Sequence, residues 1–198
     1  TCSCFFMKLH ISFINFKLRH ICVFSIIILM KLKKNLILIG MMASGKSTIG
    51  HLLAKKLRLR FFDTDFIFEK KMKMKIAEFF HKRGEEKFRN LEKKIILNIL
   101  KKNNCVVSIG GGAFIDHEIR NIANKKHKAI WLNWTSNTLI NRIKKNNKRP
   151  LALNLTNNEL KKLIVDRSKI YSRAKYKIDC ENMKKIEIIN RIIEVINQ

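Results

Sequence analysis

The densest chemistry in the chain lies in Gly40-Met41-Met42-Ala43-Ser44-Gly45-Lys46-Ser47-Thr48. The segment fits G-x-x-x-x-G-K-[ST]. It follows a short apolar run, Asn35 to Ile39, and opens a stretch with Ile49, Leu52, Leu53 and Leu57 at helical spacing. A strand, a glycine loop and a helix start in that order make a phosphate site. Glycines let the backbone curl until successive N–H groups point at one anion, and the helix N-terminus adds its positive end. Lys46 supplies a point charge for β- and γ-phosphate oxygens, and the Ser47 hydroxyl is a ligand for Mg²⁺. Gly40, Ala43, Ser44, Gly45, Lys46, Ser47 and Thr48 are therefore the candidate nucleotide-binding residues, for ATP or GTP with Mg²⁺.

A second group stands at Phe61-Phe62-Asp63-Thr64-Asp65. Read as the end of a second strand, it aims Asp63 and Asp65 the same way, because side chains two apart share a strand face. Two acids beside a phosphate loop suit one role in the metal shell and one at an acceptor hydroxyl. The competing assignment is that both cap a helix beginning near Phe66. The third strand candidate ends Val107-Ser108-Ile109-Gly110 without an acid. Asp63 is then the candidate for the metal role.

These residues need elements to hold them. Short apolar runs are expected as strands at Asn35–Ile39, Arg60–Asp63, Cys105–Ile109, Ala129–Leu132 and Lys175–Asp179. Helices are expected between them: Lys46–Leu57, Lys75–Arg83 broken at Gly84, Glu85–Lys102, one capped by Asp116, one capped by Thr135 or Ser136, Glu159–Arg173, and Lys184–Ile196. Residues 146–158, with the single Pro of the chain, read as a loop. Strands alternating with helices predict an α/β fold with a parallel sheet. Such sheets bind ligands beyond the carboxyl ends of their strands, which is where the chemistry-bearing residues fall. Gly110-Gly111-Gly112 after the third strand costs conformational entropy on folding, which argues for a close backbone approach.

Composition bounds the partners. The 198 residues carry a formal charge of +27 and 46% hydrophobic residues, enough for one domain with a real core. Of the 42 basic residues, 31 are Lys and 11 are Arg. Lys, Ile and Asn, all read from AT-rich codons, make up 80 residues. Polynucleotide readers favour Arg forks and a basic stripe with exposed aromatics. Neither is evident, so the charge reads as compositional, with no nucleic-acid partner expected. Residues 1–29 hold no acid, no Gly and no Pro, and their apolar run Ile21–Met30 is about half a membrane span. They read as a leader outside the native folded protein, with Met30 as the start, residues 30–198 as one domain and no membrane partner. Without them two Cys remain, Cys105 and Cys180, which suits a reducing cytoplasm. None of the six His has metal-ligand spacing with another His or Cys.

Five ordered elements together resemble the shikimate kinases. They are the phosphate loop, Asp63-Thr64-Asp65, Gly84-Glu85-x-x-Phe88-Arg89-x-x-Glu92, Gly110-Gly111-Gly112-Ala113 and Arg149-Pro150-Leu151, followed by Arg167 and Tyr171. The resemblance implies a P-loop three-layer fold of the nucleoside-monophosphate-kinase type. It comprises a central five-stranded parallel sheet with helices on both faces, a lid at about 146–158 and a small substrate subdomain. It also implies transfer of the ATP γ-phosphate to the 3-hydroxyl of shikimate, giving shikimate 3-phosphate for aromatic amino acid biosynthesis, in a monomer. By the same resemblance Asp65 contacts the ring hydroxyls as candidate base. Arg89 and Arg167 bind the carboxylate, Gly111 offers its N–H, Arg149 closes on the ATP phosphates, and Asp63 joins Ser47 at Mg²⁺. The residue types agree: a small carboxylated polyol needs a cationic fork, which Arg provides and Lys does not. The departure is Ala43, where the family has Gly, which tolerates positive φ better.

Other readings stay open at this level. Gluconate also presents a carboxylate and hydroxyls, so a gluconate kinase fits Arg89. A nucleotide kinase shares the sheet. A basic nucleic-acid-binding ATPase uses the phosphate loop but leaves Gly84–Glu92 without a purpose.

Overall fold

A computed structural model describes residues 34–145 and 155–197. The leader and its boundary at Met30, most of the expected lid, and Arg149 lie outside the described residues.

The order of elements is β1 (Leu36–Ile39), α1 (Lys46–Leu57), β2 (Arg60–Asp63), α2 (Thr64–Met72), α3 (Ile76–Leu100), β3 (Cys105–Ser108), a 3-10 turn (Ala113–Ile115), α4 (His117–Lys125), β4 (Lys128–Asn133), α5 (Ser136–Lys144), α6 (Asn157–Tyr171), β5 (Tyr176–Asp179) and α7 (Lys185–Asn197). The five strands form one sheet in the order β2-β3-β1-β4-β5, and every pairing is parallel. β1 lies at the centre, with Ile37 opposite Val107 of β3 and Ala129 of β4. Its four residues are all buried. A strand covered on both faces needs such an unbroken apolar run. The chain leaves β1 for β2 on one side and reaches β4 on the other. The carboxyl end of β1 is therefore the place where such sheets open a ligand crevice.

The expected elements form with shifted ends. β4 begins at Lys128, β5 at Tyr176, and α6 starts at Asn157 rather than Glu159. Thr156 accounts for the last shift: its hydroxyl accepts from the Glu159 N–H while Glu159 accepts from the Thr156 N–H. That reciprocal cap fixes the helix start. Asn157 and Asn158, expected in the lid, therefore belong to α6. α3 ends at Leu100, so Lys102 is not on its buried face. Its ammonium instead lies 5.8 Å from the centre of the Phe62 ring.

The expected break at Gly84 is present: with φ 79 and ψ 165 its backbone is not helical, and the bend there divides α3 into two helices. Left-handed φ is open to Gly at little cost. On one side of the bend Phe79 packs on Phe68 of α2 at 5.1 Å between ring centres; on the other Phe88 packs on the same ring at 4.8 Å. All three rings are buried. Each is worth about 2 kcal/mol of apolar burial. This aromatic cluster joins α2 to both halves of α3.

Candidate functional site

The phosphate loop is shaped by three backbone angles. Gly40 (φ 144), Ala43 (φ 61) and Gly45 (φ 86) all have positive φ. Ala43 thus takes the left-handed conformation despite its Cβ, at a cost of about 1–2 kcal/mol. The departure from Gly at this position leaves the loop's curl in place. Lys46 is buried, and its ammonium donates to Gly40 O at 2.9 Å and Met41 O at 3.0 Å. The charge is thereby held inside the loop it serves. Lys46, Ser47, Thr48, Ala43 and Gly45 line a cavity of about 140 Å³ at the start of α1.

Asp63 is bound on both carboxylate oxygens. Oδ2 accepts from the Ser47 hydroxyl at 2.5 Å. Oδ1 accepts from the N–H groups of Asp65 at 3.1 Å and Phe66 at 3.3 Å. The cap and the contact with the loop therefore coexist in one residue. Asp65 is not on the strand face that its spacing suggests. β2 stops at Asp63 and α2 starts at Thr64, so Asp65 stands in the first helical turn. Both acids line a common cavity, and Asp65 alone of the two also lines the cavity at the start of α1. Ser47 and Asp63 present a pair of hard oxygen donors, the chemistry that suits Mg²⁺, which takes one or two carboxylates and fills its shell with phosphate and water. Among the described residues no three His, Cys, Asp or Glu side chains gather into a metal cluster.

Asp65 lines the 140 Å³ cavity and also a second one of about 440 Å³. Among the described residues no other lines both. The larger cavity is bounded by Arg89, Glu92, Arg167 and the three glycines. Its polar wall is built on the glycines. A Cβ on Gly110 would overlap Glu92 Oε1 and stand 3.0 Å from Asp65 Oδ1. A Cβ on Gly112 would stand 2.5 Å from the Arg89 guanidinium, and one on Gly111 would stand 3.6 Å from Arg167. None of the three has positive φ. Gly110 and Gly112 are glycine for space, which Glu92 and Arg89 take up, whereas a Cβ on Gly111 would make only ordinary contacts.

Arg89 donates through one terminal nitrogen to Glu92 Oε2 at 2.7 Å. Its other terminal nitrogen and Nε donate to Glu85 Oε1 at 3.1 and 3.2 Å. The guanidinium also lies 5.0 Å from the centre of the Phe88 ring. Burial alone would lower the Arg89 pKa, but Glu92 and Glu85 together hold it above its ordinary value. Burial raises the Glu92 carboxyl above the usual range, against the pull of Arg89. Arg167 reaches Met41 Sδ at 3.7 Å, so the fork of α6 meets the phosphate loop. One turn later the buried Tyr171 hydroxyl donates to Gly111 O. Burial pushes that phenol up to about 12, so it stays a neutral donor.

Four participants were not singled out from sequence. Glu92 counted only as part of a motif, although it is buried. Ser108, buried at the end of β3, lines the phosphate cavity where an acid was sought. Thr64 accepts from the Gly110 N–H at 3.1 Å and joins the acid segment to the glycine wall. Trp134 donates from its indole to Ser44 O at 3.0 Å. A small polar residue at a strand end was the available signal for Ser108; the others needed the fold.

Comparison with known proteins gives a consistent neighbourhood. The family model described as shikimate kinase matches residues 42–197. A shikimate kinase of Persephonella marina is 41% identical over 160 residues, covering 81% of this chain and 97% of that relative. The structure of a shikimate kinase from Acinetobacter baumannii in complex with shikimate superposes with a TM-score of 0.78 at 27% identity, over 83% of this chain and 93% of that one. A shikimate kinase structure from Aquifex aeolicus gives 0.74 at 33% identity, over 82% and 96%.

Proposed function

The chain belongs to the shikimate kinase family, and from that premise we propose how its own residues carry phosphate from ATP to shikimate. The activity is that of the family: an ATP-dependent kinase with shikimate as acceptor. Membership decides against the gluconate-kinase and nucleotide-kinase readings. The division of labour among residues is our own reading.

In this reading ATP phosphates lie in the loop of Gly40–Thr48, and Lys46 exchanges its two carbonyl contacts for phosphate oxygens. Shikimate occupies the 440 Å³ cavity with its carboxylate toward Arg89 and Arg167 and its 3-hydroxyl toward Asp65. Gly111 offers its N–H, and Arg149 closes over the phosphates from the lid. Asp65 orients the hydroxyl and takes its proton as the new O–P bond forms and the bond from the γ-phosphorus to the bridging oxygen breaks, releasing ADP. Lys46 and Arg149 stabilise the charge on the transferred group, so positioning and electrostatics carry the catalysis. Ser47 and Asp63 would hold Mg²⁺, which when bound neutralises charge on the phosphates.

The observation that carries this reading is the place of Asp65. It is the one carboxylate, among the described residues, that borders both cavities. A group that moves a proton between acceptor and phosphate must stand at that boundary. Asp65→Asn keeps the shape and removes the base. Turnover should fall by about 10²–10⁴, with ATP affinity within about twofold. Near-normal turnover overturns the assignment.

We further infer a cytoplasmic monomer that binds no nucleic acid. Two buried free thiols, Cys105 and Cys180, support a reducing compartment. Among the described residues no helix is long and apolar enough to cross a membrane. Sedimentation at the single-chain mass, 23.3 kDa for the full sequence, tests the monomer; a mass twice that overturns it.

A further inference from the structure

The phosphate loop is tied from outside by an aromatic side chain that no step above uses. Trp134 follows β4, on the side of the sheet opposite β2. Its indole N–H donates to Ser44 O at 3.0 Å. Arg142 of α5 lies 3.7 Å from the centre of the Trp134 ring, so the guanidinium is stacked on the indole and fixes its plane. We propose that Trp134 is a positioning residue for nucleotide binding: by holding the Ser44 carbonyl it aims the Gly45 N–H into the phosphate cavity.

The argument rests on peptide geometry. Ser44 O and the Gly45 N–H belong to one planar peptide unit, and in a trans unit they point in opposite directions. There are no cis peptide bonds here. Holding the oxygen outward therefore holds the N–H inward, and Gly45 lines the 140 Å³ cavity. Ser44 lies between two residues of positive φ, Ala43 at 61° and Gly45 at 86°. The curl of the loop is concentrated there. The backbone bonds of this stretch are local: Ser44 N donates to Met41 O at 3.2 Å and Gly45 O accepts from Ile49 N at 2.9 Å. Trp134 links it to the rigid end of a central strand. A phosphate donor held before the anion arrives binds it without a cost of ordering.

The proposal rests on the reading of Gly40–Thr48 as the ATP site, and its test separates the two. Trp134→Phe keeps a ring for Arg142 and removes the donor. Titration calorimetry with ADP should show binding weakened about three- to tenfold, the range for one lost hydrogen bond. Shikimate affinity should stay within about twofold, and KM for ATP should rise while kcat holds. Unchanged ADP affinity in a folded variant overturns the proposal and leaves the ATP site standing. An unmodified chain that does not bind ADP overturns both.

If the variant does not fold, the unmodified chain still decides. Its two Trp, 131 and 134, give two indole ¹⁵N–¹H peaks, which Trp131→Phe assigns. The Trp134 peak should shift on ADP binding, because the partner carbonyl belongs to the peptide whose N–H meets phosphate. A Trp134 peak unmoved at saturating ADP overturns the proposal.

Discussion

Arg89 and Glu92 form an ion pair at 2.7 Å in which the acid is the buried member, its side chain 5% exposed against 33% for Arg89. A buried carboxylate is stable only with its charge answered. The Arg89 and Arg167 guanidinium groups oppose the burial that raises the Glu92 carboxyl, while Glu92 fixes the angle at which Arg89 faces the cavity. Glu92→Gln preserves shape and removes the charge. KM for shikimate should rise about tenfold, with KM for ATP unchanged. Arg89→Lys should have the same selectivity, because a fork becomes a point charge. Steady-state kinetics with each substrate varied in turn checks both. Equal rises in both KM values would show a general loss of structure instead.

Glu85 holds the other edge of the same guanidinium and is itself mostly solvent-exposed. It takes the edge that a substrate carboxylate would take in bidentate fashion. In the proposed site shikimate must then displace it or accept a poorer geometry. Glu85→Gln should tighten shikimate binding about two- to fivefold, in line with the small worth of an exposed pair. Calorimetric titration of shikimate into the two proteins measures it. Weaker binding in the variant would mean that Glu85 orients Arg89 rather than competing for it.

How far these relations were legible in the sequence depended on distance along the chain. Gly40, Gly45, Lys46 and Ser47 lie within eight residues, and their spacing alone marks a phosphate-loop motif. Asp63 and Asp65 were found as acids, but period-two logic placed them on one face. The helix start at Thr64 undid that, because a cap and a first-turn residue point differently. The glycine triplet announced a close approach without naming what approaches. Glu92 and Arg89 reach it from α3, about twenty residues earlier. Periodicity reads a Glu on a helix as outward, which hid Glu92. Trp134 and Ser44 are 90 residues apart and meet because β4 lies beside β1. No local pattern encodes that register.

His127, buried just before β4, accepts from the Asn35 N–H on Nδ1 at 3.3 Å. Asn35 in turn donates to Lys102 O and accepts from the Cys105 N–H, so the imidazole helps to fix the start of β1 beside β3. Burial lowers its pKa, Lys126 and Lys34 lower it further, and the Leu100 carbonyl opposes them. A depressed folded-state pKa means that the neutral form stabilises the fold. That contribution is complete above the unfolded value of about 6.5 and is lost as pH falls through the folded one. Thermal unfolding should therefore be level from pH 8 to 7 and decline from about 6.5 toward 5. His127→Asn should flatten that decline while starting from a lower Tm. A decline of equal steepness in the variant would assign it to other groups.

Ala43 offers a test of the loop's backbone that leaves every contact group in place. At φ 61 it occupies the left-handed region with a Cβ, which Gly enters at little cost. Ala43→Gly relieves the steric penalty in the folded chain. Against that, Gly adds freedom to the unfolded chain, worth about 0.4–1 kcal/mol. The penalty for an L-residue at positive φ is the larger of the two, so the net gain should be near 1 kcal/mol. For a chain of this size that corresponds to a rise in Tm of about 2–4 °C. Differential scanning calorimetry of the nucleotide-free proteins measures it. A fall in Tm would mean that Ala43 sits at negative φ in solution, and the loop would then owe its curl to Gly40 and Gly45 alone.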